Sequence, residues 1–285
     1  MSDHGETRTA GPRRTADPRI SIVVPALNEA LNLAAVLPLL PEVHEVILVD
    51  GGSVDGTVQA ARRAMPDIVT VLQARRGKGN ALAAGFARVT GDIVVMFDAD
   101  GSADPLEIAR FVDALKSGAD FAKGSRNTAG GGSVDITRIR SYGNRFLNAI
   151  FNTFFRTSYS DLCYGYNAFW ADLIPLLDLP DHAAPAPSNG TMLWGDGFEI
   201  ETVINCRFAA AGVAITEVPS VEKMRIFGES NLRAVSDGLR VLKTLVTEWR
   251  RARATRKLEH RLDLTLEPAM KAGSAASRVR THLAA

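Results

Sequence analysis

Between Ile20 and Gly124 the chain alternates two kinds of segment, and this alternation restricts its fold more than any other feature. Apolar runs at Ile20–Pro25, Glu45–Asp50, Ile68–Gln73, Ile93–Asp98 and Asp120–Gly124 read as strands. The amphipathic stretches 29–40, 55–64, 79–89 and 104–117 read as helices between them. Strands alternating with helices imply βαβ units, so the expected fold is α/β, a mostly parallel sheet flanked by helices. Asn28 and Ser53 stand where two helix N-caps are expected. Asp104-Pro105 adds a cap followed by proline at the first helical position.

The rest of the chain is organised differently. Residues 1–18 are polar and aperiodic and are expected to form a disordered leader. Residues 19–258 are read as one domain with halves 19–126 and 127–258, and 259–285 as a flexible tail. Within the second half, 125–136 and 181–191 have loop composition. Segments 138–156, 195–211 and 229–258 read as helices, and 213–219 as a strand.

Bulk composition excludes several classes. The 285 residues suffice for a sizeable core, and 46% hydrophobic with 23% charged residues is ordinary for a soluble protein. A net charge of +1 provides no global basic field, so nucleic acid is not an expected partner. Cys163 and Cys206 make no disulfide framework and point to a reducing compartment. The N-terminus lacks the apolar core of a signal peptide, and no run approaches the ~18 apolar residues of a membrane span. The expected location is the cytoplasm, at most peripherally on the inner face of the plasma membrane.

Chemistry gathers at the ends of the expected strands. Val94-Val95-Met96-Phe97-Asp98-Ala99-Asp100-Gly101 runs from an apolar strand into two carboxylates one residue apart. In open α/β sheets ligands sit at the carboxyl ends of strands. Mg²⁺ typically takes one or two carboxylates and completes its shell with water and substrate phosphate. Asp98 and Asp100 therefore suit a divalent cation against a diphosphate. Acids after a strand also cap helices, but Asp104 already fills that position. Asp50-Gly51-Gly52-Ser53, ending the second strand, offers an acceptor and close backbone approach, or turn chemistry alone. Arg75-Arg76-Gly77-Lys78-Gly79 precedes a helix and suits phosphate, or is a solvated basic turn. Neither a Walker A loop nor G-x-G-x-x-G is present.

These blocks in this order resemble the family-2 glycosyltransferases of GT-A fold, and within them the dolichol-phosphate mannosyltransferase branch. The likeness rests on Val24-Pro25-Ala26-Leu27-Asn28-Glu29, Asp50-Gly51-Gly52-Ser53 with Asp55-Gly56-Thr57, Gly77-Lys78-Gly79, Asp98-Ala99-Asp100 and Gly124-Ser125-Arg126. It continues more loosely through Ser160–Asn167, Gly197-Phe198-Glu199 and Arg225–Leu232. The resemblance implies a metal-dependent inverting transfer of a sugar from a GDP- or UDP-sugar, with Mg²⁺ or Mn²⁺ at Asp98 and Asp100. It implies a donor site of Pro25, Leu27, Glu29, Asp50, Gly52, Lys78, Asp98, Ala99, Asp100 and Arg225. An acceptor site would comprise Arg126, Arg138, Arg140, Ser141 and Asn167. Three positions depart from the branch: Asn167 replaces Arg or Lys, Asn231 replaces Lys, and Ser102 replaces Gln.

The acceptor stays open at this point. A polyprenyl phosphate is already an anion and needs little base catalysis. A soluble hydroxyl acceptor needs a general base, for which Asp161 and Asp196 are the candidates. A non-catalytic nucleotide-sugar-binding module is the third alternative, opposed by the intact Asp98/Asp100 pair. The segment Tyr142–Arg156 and the C-terminal helix, with Leu239, Trp249, Arg250 and Arg253, have amphipathic basic character. Such helices lie on anionic membranes or pack on their own domain.

Overall fold

The computed structural model describes residues 14–134, 138–228 and 237–258. The strands are β1 (Ile20–Ala26), β2 (Glu45–Asp50), β3 (Val69–Leu72), β4 (Ile93–Met96), β5 (Phe121–Ser125), β6 (Gly132–Ser133), β7 (Asn167–Trp170), β8 (Ile215–Pro219) and β9 (Val221–Glu222). The helices are α1 (Ala30–Val36), α2 (Thr57–Ala64), α3 (Lys78–Phe86), α4 (Ile108–Lys116), α5 (Arg138–Phe155) and α6 (Ile200–Ala211), followed by α7, helical over 237–258.

Among the described residues seven strands form one sheet in the order β3-β2-β1-β4-β7-β5-β8, and β6 pairs with β9 beside it. Strands β1 to β4 are mutually parallel where they pair. Their central residues, such as Ile22–Val24, Val46–Val49 and Ile93–Met96, are buried because helices cover both faces. The chain moves outward from β1 to β3, then returns to place β4 on the other side of β1. This reversal opens a crevice between the carboxyl ends of β1 and β4, the place where such sheets bind ligands.

Strand β7 was not expected. It runs antiparallel between β4 and β5 and is buried on both faces. Four residues without alternation carry little strand signal, and its insertion separates strands adjacent in sequence. Around it Phe86, Phe121, Phe169 and Phe208 pack with ring centroids 5.0–6.4 Å apart. Each such buried ring contributes roughly 1.5–3 kcal/mol. A second cluster, centred on Leu147, Phe151, Phe155, Leu162, Cys206 and Leu245, joins α5, α6 and α7.

Two expected caps do not form. The residue preceding α1 is Glu29, and α2 is preceded by Gly56 at φ +85°. The turns after β1 and β2 bind each other instead. The Asn28 amide donates to Ser53 Oγ and the Val54 amide donates to Asn28 Oδ1. The Ala30 amide donates to Asp55, and the Glu29 amide to Thr57 Oγ1. Asp104 does cap the next helix, accepting from the Leu106 amide at 3.1 Å.

Of the expected leader 1–18, residues 14–18 are described, and Arg14 is packed. Arg14 lies 2.5 Å from Asp120 and its guanidinium covers the Trp170 ring at 4.8 Å. Residues 1–13, 135–137, 229–236 (with Asn231) and the tail 259–285 lie outside the described residues, as does the Arg138 side chain.

Candidate functional site

The crevice is built from the ends of two strands, β1 and β4, with α3 and the 223–227 segment beside them. From β4, Phe97 and Ala99 are buried while Asp98 and Asp100 alternate with them, which brings both carboxylates to the open side. Lys78, first residue of α3, places its Nζ 2.7 Å from Asp98 Oδ1 and 2.5 Å from Glu201 Oε1. Arg225 spans the crevice, 3.0 Å from Glu29 Oε1 at the end of β1 and 3.3 Å from Asp100 Oδ2. The other Asp100 oxygen accepts from the Ser102 amide and hydroxyl. Segment 223–227 is fixed over this floor. The Ile226 amide donates to the Asp100 carbonyl, and Phe227 exchanges hydrogen bonds with Asn32. Gly101, at φ +78°, admits Ile226, since a Cβ there would stand 2.5 Å from its Cδ1.

The charges couple. Desolvation dominates at Asp98 and, with the neighbouring Glu201 and Asp100 charges, outweighs Lys78 and raises its carboxyl above the ordinary range. Desolvation also disfavours the Lys78 ammonium, but Asp98 and Glu201 outweigh it and hold the lysine well above its usual value.

Glu201 was missed by sequence reasoning. Its only local signal is helical spacing after Gly197. Gly165 makes room for it, because a Cβ there would lie 2.3 Å from Glu201 Oε1. Lys123 was also missed. It is fully buried, donates to the carbonyls of Gly124 and Tyr164 at 2.8 and 2.7 Å, and desolvation lowers its pKa.

Several sequence-based assignments need correction. Asp161 is not placed to act as a base. It is fully buried, and Arg126 donates to both of its oxygens at 2.7 and 2.9 Å. Burial alone would raise Asp161, but Arg126 prevails and holds it at about 2. Arg126 in turn is buried and spends its remaining nitrogen on Glu222 at 2.9 Å, so it is a strut rather than an exposed acceptor ligand. Asp196 is likewise sealed, with Arg75 donating to its two oxygens at 2.6 and 2.9 Å.

Asn167 lies inside the sheet on β7. It accepts from the Gly124 amide and donates to the Gly165 carbonyl, so it faces no acceptor. At the Gly77-Lys78-Gly79 turn the Gly79 amide, with that of Asn80 beyond it, is taken by a backbone carbonyl. The Gly79 and Asn80 amides donate to the Asp196 carbonyl at 2.7 and 3.2 Å. A Cβ at Gly79 would stand 1.7 Å from the Gly195 oxygen, so the glycines are a socket for the 195–196 turn.

The remaining assignments have definite positions. Asp50 is buried and accepts from the Gly52 and Ser53 amides, shaping its own turn, with Gly52 at φ +86°. Pro25 is half-buried in β1, Leu27 is exposed beyond it, and Ala99 is buried between the two acids. Arg140 and Ser141 sit half-buried in the first turns of α5.

Comparisons with known proteins bear on this geometry. Residues 21–174 match the model of glycosyl transferase family 2. The chain is 30% identical to the polyprenol monophosphomannose synthase of Mycolicibacterium smegmatis, covering 81% of this chain and 86% of that protein. It is 30% identical to the undecaprenyl-phosphate mannosyltransferase of Micrococcus luteus, over 86% of this chain and 100% of that one. Among solved structures, glucosyl-3-phosphoglycerate synthase from Mycobacterium tuberculosis, in complex with Mn²⁺, UDP and glucosyl-3-phosphoglycerate, superposes with a TM-score of 0.60. It is 24% identical, covering 85% of this chain and 86% of that one, and the likeness is one of fold.

Proposed function

The chain belongs to glycosyltransferase family 2 and is a glycosyltransferase of GT-A fold, and from that premise we propose that it transfers a sugar from a nucleoside-diphosphate sugar to a polyprenyl phosphate. The observation that carries the acceptor half of this reading is the state of the carboxylates. Asp98 and Glu201 pair with Lys78, Asp100 and Glu29 with Arg225, Asp161 with Arg126 and Asp196 with Arg75. The two candidate bases, Asp161 and Asp196, have both oxygens closed by a guanidinium, and a carboxylate closed in this way is a poor base. A phosphate acceptor, ionised near neutral pH, needs none. The names of the two mannosyltransferase relatives support the same acceptor.

The donor set fits a divalent cation. Asp98 and Asp100 offer hard oxygen donors, and both are drawn to cationic groups already. Among the described residues no cluster of three or more His, Cys, Asp or Glu side chains forms a complete cage, so water and diphosphate would fill the rest of the shell. When bound, Mg²⁺ or Mn²⁺ supplies Lewis-acid neutralisation of the leaving diphosphate. The solved neighbour's complex with Mn²⁺ and UDP supports a divalent ion and a nucleoside-diphosphate donor.

Lys78 and Arg225 turn their charge to phosphate oxygens and stabilise the leaving group. Glu29 and Glu201 hold those two cations in place. The acceptor oxygen forms its bond to the anomeric carbon as the bond to the diphosphate breaks on the opposite side, which inverts that centre. The turns bearing Asp50 and Gly52 border the nucleotide.

The test incubates the full chain with GDP- and UDP-sugars, Mg²⁺ or Mn²⁺, and either polyprenyl phosphate or water-soluble acceptors including phosphoglycerate. Sugar label in the lipid phase, abolished by EDTA, is the expected result. Transfer to soluble hydroxyls alone overturns the acceptor. Failure to bind any nucleotide sugar by calorimetry overturns the donor site.

A further inference from the structure

We propose that the outward sides of α5 and α7 form one docking face for an anionic lipid bilayer. Helix α5 contains no acidic residue, and its solvent stripe carries Tyr142, Arg145 and Phe146, with Arg156 just beyond its end. Tyr142 is 70% and Phe146 61% exposed, one helical turn apart. Large aromatic side chains seldom stand in water in adjacent turns without a partner.

Helix α7 repeats the pattern. Leu239, Lys243, Arg250, Arg253 and Lys257 are exposed and recur at spacings of three, four and seven, which puts them on one side. The two acids of its described span are elsewhere. Asp237 pairs with Arg240, and Glu248 turns inward to Arg207 and Trp194.

The two stripes meet at a stacked seam. Phe154 of α5 stacks on Trp249 of α7 at 4.8 Å, and the guanidinium of Arg253, one turn further along α7, covers the Trp249 ring at 4.7 Å. Arg253 belongs to the basic stripe, so the seam brings that stripe beside the exposed side of α5. Six exposed cations, Arg145, Arg156, Lys243, Arg250, Arg253 and Lys257, thus stand on or at the end of the two helices joined at this seam, with two protruding aromatic rings on α5.

This composition matches an anionic interface. Phosphate headgroups complement the cations, and the rings enter at headgroup level. No helix among the described residues is long and apolar enough to cross a membrane. The face is independent of the acceptor reading, because a bilayer without polyprenyl phosphate suffices to bind it.

Vesicle flotation of the full chain tests the proposal, using phosphatidylcholine alone and phosphatidylcholine mixed with phosphatidylglycerol, both free of polyprenyl phosphate. The protein is expected to float with the anionic vesicles at least about tenfold more than with neutral ones, and less at high salt. Lys243→Gln with Arg250→Gln should lower that binding about tenfold. Tyr142→Ser with Phe146→Ser should leave low-salt binding but remove what survives high salt. Nucleotide-sugar binding should be unchanged in both variants, which verifies their fold. Equal flotation with both vesicles, retention by the Lys243/Arg250 variant, or displacement of the protein from anionic vesicles by DNA that it binds more tightly would overturn the docking face and leave the transfer reaction standing.

Discussion

Two pairs of aspartates in this molecule, Asp98 with Asp100 and Asp161 with Asp196, have surroundings that differ in kind. The Asp98 and Asp100 side chains are 37% and 20% exposed, and each faces a single cation across the crevice. Asp161 and Asp196 are sealed to 0% and 2%, and each has both oxygens matched by one guanidinium. A carboxylate satisfied on all sides has no remaining capacity for a ligand and acts as architecture. One that faces a single cation across an open crevice keeps that capacity. The same residue type therefore divides between structure and chemistry according to how completely its neighbours satisfy it.

The comparison can be broken most severely at its sealed end. Arg126→Ala leaves Asp161 buried without its counter-charge and should cost about 3–5 kcal/mol of stability in denaturant unfolding. A cost under about 1 kcal/mol would mean that the pair is not structural. At the open end, Asp100→Ala should lower turnover about a thousandfold with the unfolding midpoint barely changed. Undiminished turnover would remove Asp100 from the donor site.

A smaller effect is expected at the socket that holds Asp196. Gly79→Ala pushes a methyl group against the Gly195 carbonyl and should cost up to about 3 kcal/mol, read as a lower melting temperature. An unchanged melting temperature would show that the 195–196 turn is free to move.

The mildest test is acid titration. Arg126 lowers the Asp161 carboxyl from its ordinary value of 3.8 to about 2 in the folded chain, so its stabilisation is complete above the unfolded pKa. It is lost as pH falls from about 4 through about 2, and amounts to about 2 kcal/mol. Unfolding measured across that window should show the loss in the wild type and a reduced loss in Arg126→Ala.

Legibility followed distance along the chain. The five early strands and most of the helices between them could be read locally, and β1, β2 and β4, largely buried, are nearly continuous apolar runs. Asp98 and Asp100 stood out for the same reason, as carboxylates abruptly ending such a run. Asp161 and Asp196 stood in the sequence as candidate general bases for a hydroxyl acceptor. Their partners lie 35 and 121 positions away, and no local pattern announces a guanidinium from so far. Glu201 escaped notice because its relation to Lys78 spans 123 positions.

What the amino-acid sequence determined alone was the α/β alternation, the glycine-rich turns and the paired acids at the end of β4, all consequences of periodicity and short-range sterics. The tertiary structure decided that β7 enters antiparallel between β4 and β5, that the Gly77–Gly79 turn receives a backbone turn, and which carboxylates are closed by arginine. Strand order and charge pairing depend on which distant surfaces meet, and burial then fixes whether a charge must be matched there or stays open to a ligand.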